Sequence, residues 1–162
     1  EEQEMTAIAY RDGIIAADRQ VTWGSVAGVS KKIHKINVHP YGLCLVAMSG
    51  FVYGEEIILD QLCTNSSGRG ENIGEMQRDS RYGFLITKEM KIHAIYGDGR
   101  VGMEEHHENH FIAEGSAFQF LMGAMAAGAS AREAVALACD YCDSCGQGID
   151  TVDVREALKD EE

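Results

Sequence analysis

Residues 6–22, TAIAYRDGIIAADRQVT, contain two short apolar runs joined by a turn signal. The first run covers 6–10 and the second covers 13–17, with Arg11-Asp12-Gly13 at the junction. Asp-Gly between such runs is the strongest short-range signal for a β-hairpin. The stretch therefore predicts two antiparallel strands, and it places Asp18, at the end of the second strand, near the start of the first.

Thr6 opens the first of these strands and directly follows Met5. A threonine hydroxyl alone is a poor nucleophile, but an N-terminal threonine carries its own base, the free α-amine. An α-amine has an ordinary pKa close to neutrality, so it can accept a proton at working pH. Removal of Met5 would give Thr6 this amine, although Met-Thr is also a common and chemically neutral start.

Lys32 is the second charged residue of interest, because a hairpin and a returning strand would bring it to Asp18. A lysine paired with an aspartate near Thr6 would hold positive charge against the hydroxyl oxygen and lower the pKa of nearby amines. Taken singly, both residues are more often solvated surface charges. The pair gains meaning only from the rest of the chain.

Three longer motifs carry a resemblance to a known family. TAIAYRDGIIAADRQVTWG at 6–24 with KKI at 31–33 resembles the N-terminal half of proteasome β-type subunits, nearest to the bacterial threonine peptidase of the HslV type. The similarity continues in LVAMSGFVYGEEIILDQL at 45–62 and in FIAEGSAFQFLMGAMAAGASAREAVALACDYCDSC at 111–145. It covers most of the chain and implies an α+β fold, the four-layer αββα sandwich of N-terminal nucleophile hydrolases.

The resemblance also implies a set of catalytic residues. Thr6 falls on the nucleophile, and Asp18 and Lys32 fall on the acid and the lysine that activate it. Gly50 falls on the glycine whose backbone N–H forms the oxyanion hole.

Further positions matched by the resemblance lie around this set. Ser116 falls on the serine that hydrogen-bonds the region of the terminal amine, and Asp143 falls near the aspartate that orients this serine. Substrate contact is implied for three positions, Thr22, Met48 and Val52.

A threonine-type endopeptidase of a self-compartmentalising protease is the function that follows from the resemblance. It implies polypeptide substrates, a homo-oligomeric ring and a AAA+ unfoldase as a candidate partner, with no cofactor and no metal. Two alternatives stay open: an amidohydrolase of the same fold that acts on a small molecule, and a non-catalytic shell or scaffold subunit that is kept inactive by residues 1–4.

Composition bounds the remaining classes. The chain of 162 residues suits one domain, which we expect at 6–156 between a short extension at 1–5 and an acidic tail at 157–162. A net charge of −12 argues against nucleic acid as a partner. The absence of a long apolar run argues against a membrane. Five cysteines, an odd number, without a visible secretion signal favour reduced thiols in the cytoplasm.

Two clusters have the residue types of metal sites. Cys139, Cys142 and Cys145 are spaced by three, which suits zinc or an iron–sulfur cluster but equally suits small buried thiols along one side of a helix. The second cluster contains His106, His107 and His110. We favour a structural role for the cysteines and a polar surface for the histidines, without a bound metal.

Local patterns predict the other elements. Helices are expected at 51–62 and at 117–127, and a third is expected to begin at a capping box made by Ser130 and Glu133. Loops are expected at 64–80 and 97–109, and a last strand at 149–154.

The extension before Thr6 generates a first prediction. With residues 1–5 attached, the Thr6 nitrogen is an amide, which cannot act as a base at neutral pH. We therefore expect the chain with Glu1 in place to be inactive and a chain beginning at Thr6 to cleave an unfolded protein or a fluorogenic peptide. The two chains are compared with end-sequencing of both, and cleavage by a chain that retains Glu1 would contradict the role of the amine as base.

Overall fold

The computed structural model describes residues 6–23, 26–49, 58–60, 62, 80–106, 110–143 and 145–160. Its strands are β1 (Ile8–Arg11), β2 (Ile14–Asp18), β3 (Gln20–Trp23), β4 (Val26–Val29), β5 (Ile33–Val38), β6 (Gly42–Met48), β7 (Arg81–Ile86), β8 (Ile92–Tyr96), β9 (Val101–Glu105), β10 (Phe111–Glu114) and β11 (Ile149–Asp153). Its helices are α1 (Phe118–Ala126), α2 (Ala131–Tyr141) and α3 (Val154–Ala157).

The hairpin predicted from the opening stretch is confirmed. β1 and β2 pair antiparallel, with Arg11 opposite Ile14 across a two-residue turn. Asp12 and Gly13, the two turn residues, have φ values of 51° and 83°. Positive φ at both positions is typical of the turns whose twist matches a tight hairpin, and Asp-Gly is suited to adopt it.

The described strands form three sheets. A four-stranded sheet has the order β10-β1-β2-β11, a five-stranded sheet has the order β5-β6-β7-β8-β9, and β3 pairs with β4 in a small separate ribbon. All of these pairings are antiparallel. β1, which follows Thr6, therefore lies in the interior of its sheet, between β10 and β2.

Alternation along β1 explains how the layers pack. Ile8 and Tyr10 enter a cluster that also contains Leu45 and Phe84 of the five-stranded sheet, so this cluster lies between the two sheets. Ala7 and Ala9 enter a second cluster with residues of α1 and α2. Successive side chains of a strand point to opposite faces, so the run from Ala7 to Tyr10 is apolar because both of its faces are covered.

The two longer helices lie near their predicted positions. Ser130 caps α2 by accepting a hydrogen bond of 3.1 Å from the Glu133 N–H, as the capping-box pattern predicts. Ala134, Val135 and Ala138 of α2 are buried against β1 and β2. Among the helices that the structure describes, none is long and apolar enough to span a membrane.

The outer face of the five-stranded sheet carries a third cluster. Val46, Met48 and Leu85 pack there against Ile58 and Leu62. Residues 58–60 and 62 are helical, which agrees with part of the helix expected at 51–62. The rest of that segment, and the loop expected at 64–80 except Ser80, lie outside the described residues.

Two expectations from the sequence were wrong. The segment 97–109 was expected to be a loop, but β9 occupies Val101–Glu105 as the last strand of the five-stranded sheet. The strand is short and contains Gly102, Glu104 and Glu105, residue types that are depleted in strands, so its sequence gives only a weak strand signal. Val154 was expected to end a strand, but it begins α3, where the Asp153 side chain accepts a hydrogen bond of 3.1 Å from the Glu156 N–H.

Packing also continues past the expected domain boundary. The boundary after residue 156 falls inside α3, and Leu158 is buried in the cluster between the sheets. The packed part of the chain therefore includes the first residues of the segment expected to be an acidic tail.

Gly83 provides a stability prediction, because it lies opposite Met48 where β7 meets β6. A Cβ at Gly83 would lie 2.0 Å from the Ala47 carbonyl oxygen, a backbone atom that cannot move aside cheaply. We expect Gly83→Ala to lower the free energy of unfolding by about 3 kcal/mol. Gly123→Ala is the control, since a Cβ there meets nothing within 4 Å in the middle of α1. It should be stabilising by about 0.5–1 kcal/mol. Equal urea midpoints for the two variants would contradict this packing.

Candidate active site

Asp18 forms the centre of the site, at the end of β2, with no exposed surface. Its Oδ1 accepts hydrogen bonds from the Ala7 N–H at 3.0 Å and from Lys32 Nζ at 2.6 Å. Its Oδ2 accepts a hydrogen bond from the Gly146 N–H at 3.1 Å. A buried carboxylate is tolerated when it is paired and hydrogen-bonded in this way.

Lys32 is the residue just before β5, and its side chain, which is only 5% exposed, reaches Asp18. The Met48 N–H donates a backbone hydrogen bond to the Lys32 carbonyl, and the next residue, Ile33, pairs with Ala47 of β6. These two contacts fix the backbone position of Lys32. The Lys32 ammonium and the Ala7 N–H share one carboxylate oxygen, and Ala7 is the residue after Thr6. The structure therefore brings the predicted lysine–aspartate pair next to Thr6.

Thr6 itself is held from the other side by the turn between β10 and α1. Its backbone nitrogen donates a hydrogen bond to Ser116 Oγ at 3.2 Å, and its carbonyl accepts one from the Ala117 N–H at 3.3 Å. Gly115 has a φ of 93°, and a Cβ there would lie 2.1 Å from the Thr6 carbonyl oxygen. Only glycine permits this backbone approach, so Gly115 is needed to seat Thr6.

The 145–148 segment supports Asp18 from a third direction. The Arg19 N–H donates to the carbonyls of Gly146 and Gly148 at 3.1 Å each. The Arg19 guanidinium also forms an ion pair with Asp150 at the start of β11. Together these bonds fasten the segment to the strand that bears Asp18, which keeps the Gly146 N–H on the carboxylate.

Thr22, Asp143 and Met48 take different places. Thr22 Oγ1 accepts a hydrogen bond from Gln20 Nε2 at 3.4 Å. The backbone carbonyl of Asp143 accepts a hydrogen bond from the same nitrogen at 3.5 Å. The Asp143 side chain is exposed and has no hydrogen bond to Ser116 in the described part of the chain. Met48 is 3% exposed within the third cluster.

Gly50 and Val52, predicted for the oxyanion hole and for substrate contact, lie outside the described residues. So do Ser144 and His107. The structure thus groups Thr6, Asp18, Lys32 and Ser116, and it places Thr22 two residues beyond Gln20 on β3.

The cysteine cluster lies beside this group. Cys145 is buried in the second cluster, and Cys139 and Cys142 are half-buried against it. Burial raises the pKa of the Cys139 thiol, the nearby Asp18 carboxylate raises it further, and Lys32 opposes the rise. The Cys139 thiol is therefore mainly protonated at neutral pH and is a poor nucleophile. Within the described ranges, no three His, Cys, Asp or Glu side chains are grouped as metal ligands.

Three positions that support the site were not assigned a role from the sequence. They are Gly115, Gly146 and Gln20, which is 9% exposed and would touch a Cβ placed on Gly146. Gly115 had a visible signal in the Gly-Ser pair before a helix, and Gly146 had one in Gly146-Gln147-Gly148. Gln20 had none, because its role depends on two distant backbone segments.

Chemically, the group joins a hydroxyl nucleophile to a buried cation. The Lys32 charge favours negative charge that develops on an oxygen nearby, because a buried site screens charges weakly. The Asp18 carboxylate balances the Lys32 charge and fixes the orientation of the Lys32 side chain. A free nitrogen on Thr6, held by Ser116, would be placed to exchange a proton with the Thr6 hydroxyl.

Comparison with known proteins agrees with this geometry at the level of the fold. BPH from Thiobacillus denitrificans, in complex with Epoxomicin, superposes with a TM-score of 0.63 and 19% identity over 91% of this chain and 96% of that one. The chain has the proteasome β-type fold.

Two further structures with this proteasome β-type fold are Anbu proteins. A Gly-1 mutant of Anbu from Hyphomicrobium sp. strain MC1 gives a TM-score of 0.63 at 14% identity, and Anbu (ancestral beta-subunit) from Yersinia bercovieri gives 0.60 at 15%. Each match covers 91% of this chain and 80% of the other. The sequence matches no protein-family model and no curated protein sequence.

The buried pair generates a stability prediction. Asp18→Ala leaves the Lys32 ammonium buried without its carboxylate, which should lower the free energy of unfolding by about 3–5 kcal/mol. Adding Lys32→Met removes the stranded charge, so the double variant should regain most of that loss. Arg19→Ala breaks an ion pair in which Arg19 is 46% exposed, and it should cost less than about 1 kcal/mol. Equal losses for Asp18→Ala and Arg19→Ala in urea unfolding would contradict a buried, coupled pair.

Proposed function

We propose that the chain is a threonine-type endopeptidase subunit of an HslV-type, self-compartmentalising protease, with polypeptide substrates. The observation that carries this proposal is the placement of Thr6 between the buried Asp18–Lys32 pair and Ser116. The proteasome β-type fold is consistent with it, and so is the part of the four-layer αββα arrangement that the described residues form. We extend the proposal to the complete four-layer sandwich.

The proposed reaction begins at the Thr6 hydroxyl. Its Oγ attacks the peptide carbonyl, and the Thr6 amine accepts the hydroxyl proton, directly or through water. Lys32, held by Asp18, stabilises negative charge on the attacking oxygen. The Gly50 N–H supports the tetrahedral oxyanion in this proposal, as the resemblance implies. The protonated amine then gives its proton to the leaving nitrogen, and water releases the acyl group from Thr6.

Support for a peptidase rather than another hydrolase comes from the similar structures. The Thiobacillus denitrificans protein is in complex with Epoxomicin. We propose that the corresponding site of this chain accepts the same compound.

Assembly into a homo-oligomeric ring is also part of the proposal. Phe120 of α1 and Tyr141 of α2 have ring centroids 6.4 Å apart, and they are 38% and 75% exposed. Leu137 on the same helix pair is 38% exposed. Large apolar side chains grouped on a surface favour a protein partner. A ring would enclose the sites in the cytoplasm, with a AAA+ unfoldase as the partner that supplies chains.

Thr6→Ala tests the proposed chemistry in a chain that begins at residue 6. Loss of the hydroxyl should lower kcat/KM for a fluorogenic peptide by at least about 1,000-fold, because the nucleophile is gone. The thermal midpoint should change little, since only the hydroxyl and the γ-methyl group of Thr6 are replaced by hydrogen. An electrophilic peptide inhibitor should add to Thr6 on intact-mass analysis and should not add to the alanine variant.

Thr6→Ser is the matched control, because it keeps the hydroxyl and the terminal amine. It should keep measurable turnover and inhibitor labelling. Peptide hydrolysis that persists in Thr6→Ala at the level of the serine variant would show that another residue is the nucleophile.

A further inference from the structure

A cavity of about 370 Å³ opens beside the turn that seats Thr6, and no role has been given to it so far. It lies between the edge strand β10, the first turns of α1 and the start of β7. Seven residues line it: Arg81, Ile112, Ala113, Glu114, Gly115, Phe118 and Met122.

The chemistry of the cavity is mainly apolar. Phe118 and Met122 are one helical turn apart on α1, and Phe118 is 47% exposed, which is unusual for an aromatic side chain without a partner surface. At the other end, the Arg81 guanidinium forms ion pairs with both Glu114 and Glu105. Burial raises the pKa of the Glu114 carboxyl, and the Arg81 charge opposes this rise. The charged groups are occupied with one another, so the cavity suits an uncharged apolar side chain.

The sheet order fixes the position of the cavity relative to Thr6. β1 lies between β2, which carries Asp18, and β10, which leads into Gly115 and Ser116. The Asp18–Lys32 pair therefore approaches Thr6 from one side and the cavity from the other. Gly115 belongs to both features, since it lines the cavity and touches the Thr6 carbonyl.

Proton delivery decides which part of a substrate faces the cavity. In the proposed reaction the Oγ–carbon bond forms, the carbon–nitrogen bond breaks, and the hydroxyl proton passes through the Thr6 nitrogen to the leaving nitrogen. The Thr6 nitrogen lies 3.2 Å from Ser116 Oγ, on the β10 side of the strand. The leaving nitrogen must approach this same side to receive the proton. The residue that follows the scissile bond is then directed toward Gly115 and the cavity.

We propose that this cavity is the subsite for the residue directly after the scissile bond, and that it selects a large apolar side chain there. Phe118 and Met122 form its specificity-determining wall. This inference rests on the proposed function, and it adds a preference on the leaving side of the substrate.

The experiment uses a chain that begins at Thr6 and two peptides that differ only in the residue after the scissile bond, leucine in one and aspartate in the other. Products are identified by mass spectrometry, and kcat/KM is measured for each. Leucine should be preferred by at least about 10-fold, the scale of discrimination by one apolar pocket. Phe118→Ala should reduce this preference to about twofold or less, chiefly by slowing cleavage of the leucine peptide.

Gln119→Ala is the control, because Gln119 is an exposed neighbour of Phe118 on α1 that does not line the cavity. It should leave the preference unchanged. Equal effects of the two substitutions, or no leucine preference in the unsubstituted chain, would overturn the inference. Weaker self-association of Phe118→Ala in sedimentation, with the preference intact, would assign the cavity to contact between copies and would also overturn it.

A methyl ester of the shared acyl part separates this inference from the proposed function, because its leaving group has no side chain. Hydrolysis of the ester by the Thr6 chain, with loss in Thr6→Ala, supports the nucleophile whatever the cavity does. A chain that cleaves neither the ester nor either peptide would overturn both proposals.

Discussion

The buried carboxylate of Asp18 is the constraint on which the arrangement of the site depends. It receives hydrogen bonds from three separate parts of the chain: the first strand at Ala7, the approach to β5 at Lys32, and the 145–148 segment at Gly146. A carboxylate without exposed surface requires such donors, because the energetic cost of an unpaired buried charge is several kcal/mol. The same charge thus orders the segments around it and gives Lys32 a fixed direction. Structural and chemical requirements coincide at this residue, so the site is built into the core instead of resting on surface loops.

A second constraint acts on the opposite side of Thr6, and it is steric. The backbone of Gly115 lies so close to the Thr6 carbonyl that a side chain has no room, and the following Ser116 then meets the Thr6 nitrogen. The electrostatic contact at Asp18 and the close approach at Gly115 hold the same residue from neighbouring strands. Thr6 is 4% exposed as a result, which leaves little freedom in the direction of its hydroxyl.

Much of the fold and part of the site follow from the sequence alone, where the signal is local. Asp12-Gly13 predicts the hairpin, and Ser130 with Glu133 predicts the start of α2, because each acts within four residues. β9 is not predicted from the sequence, since it is short and contains Gly102, Glu104 and Glu105, residue types depleted in strands. The contact of Gly146 with Asp18 joins residues 128 positions apart, and neither residue type marks it. Asp143 lies at an exposed position, and its backbone carbonyl accepts a hydrogen bond from Gln20 Nε2.

The length of the two-residue turn in the first hairpin sets the register of β1 against β2, and thereby which residues meet at the far end of the strands. Ile8 lies opposite Ala17, so Ala7 meets Asp18, and this correspondence is counted from Asp12 and Gly13. An inserted or deleted residue at the turn would shift the count by one. Ile8 and Tyr10 would then exchange faces with Ala7 and Ala9. The Asp18 carboxylate would no longer lie beside the Ala7 N–H. A change at this turn, six residues and roughly 20 Å from Thr6 at about 3.4 Å per residue, would therefore disrupt the site without altering any of its side chains.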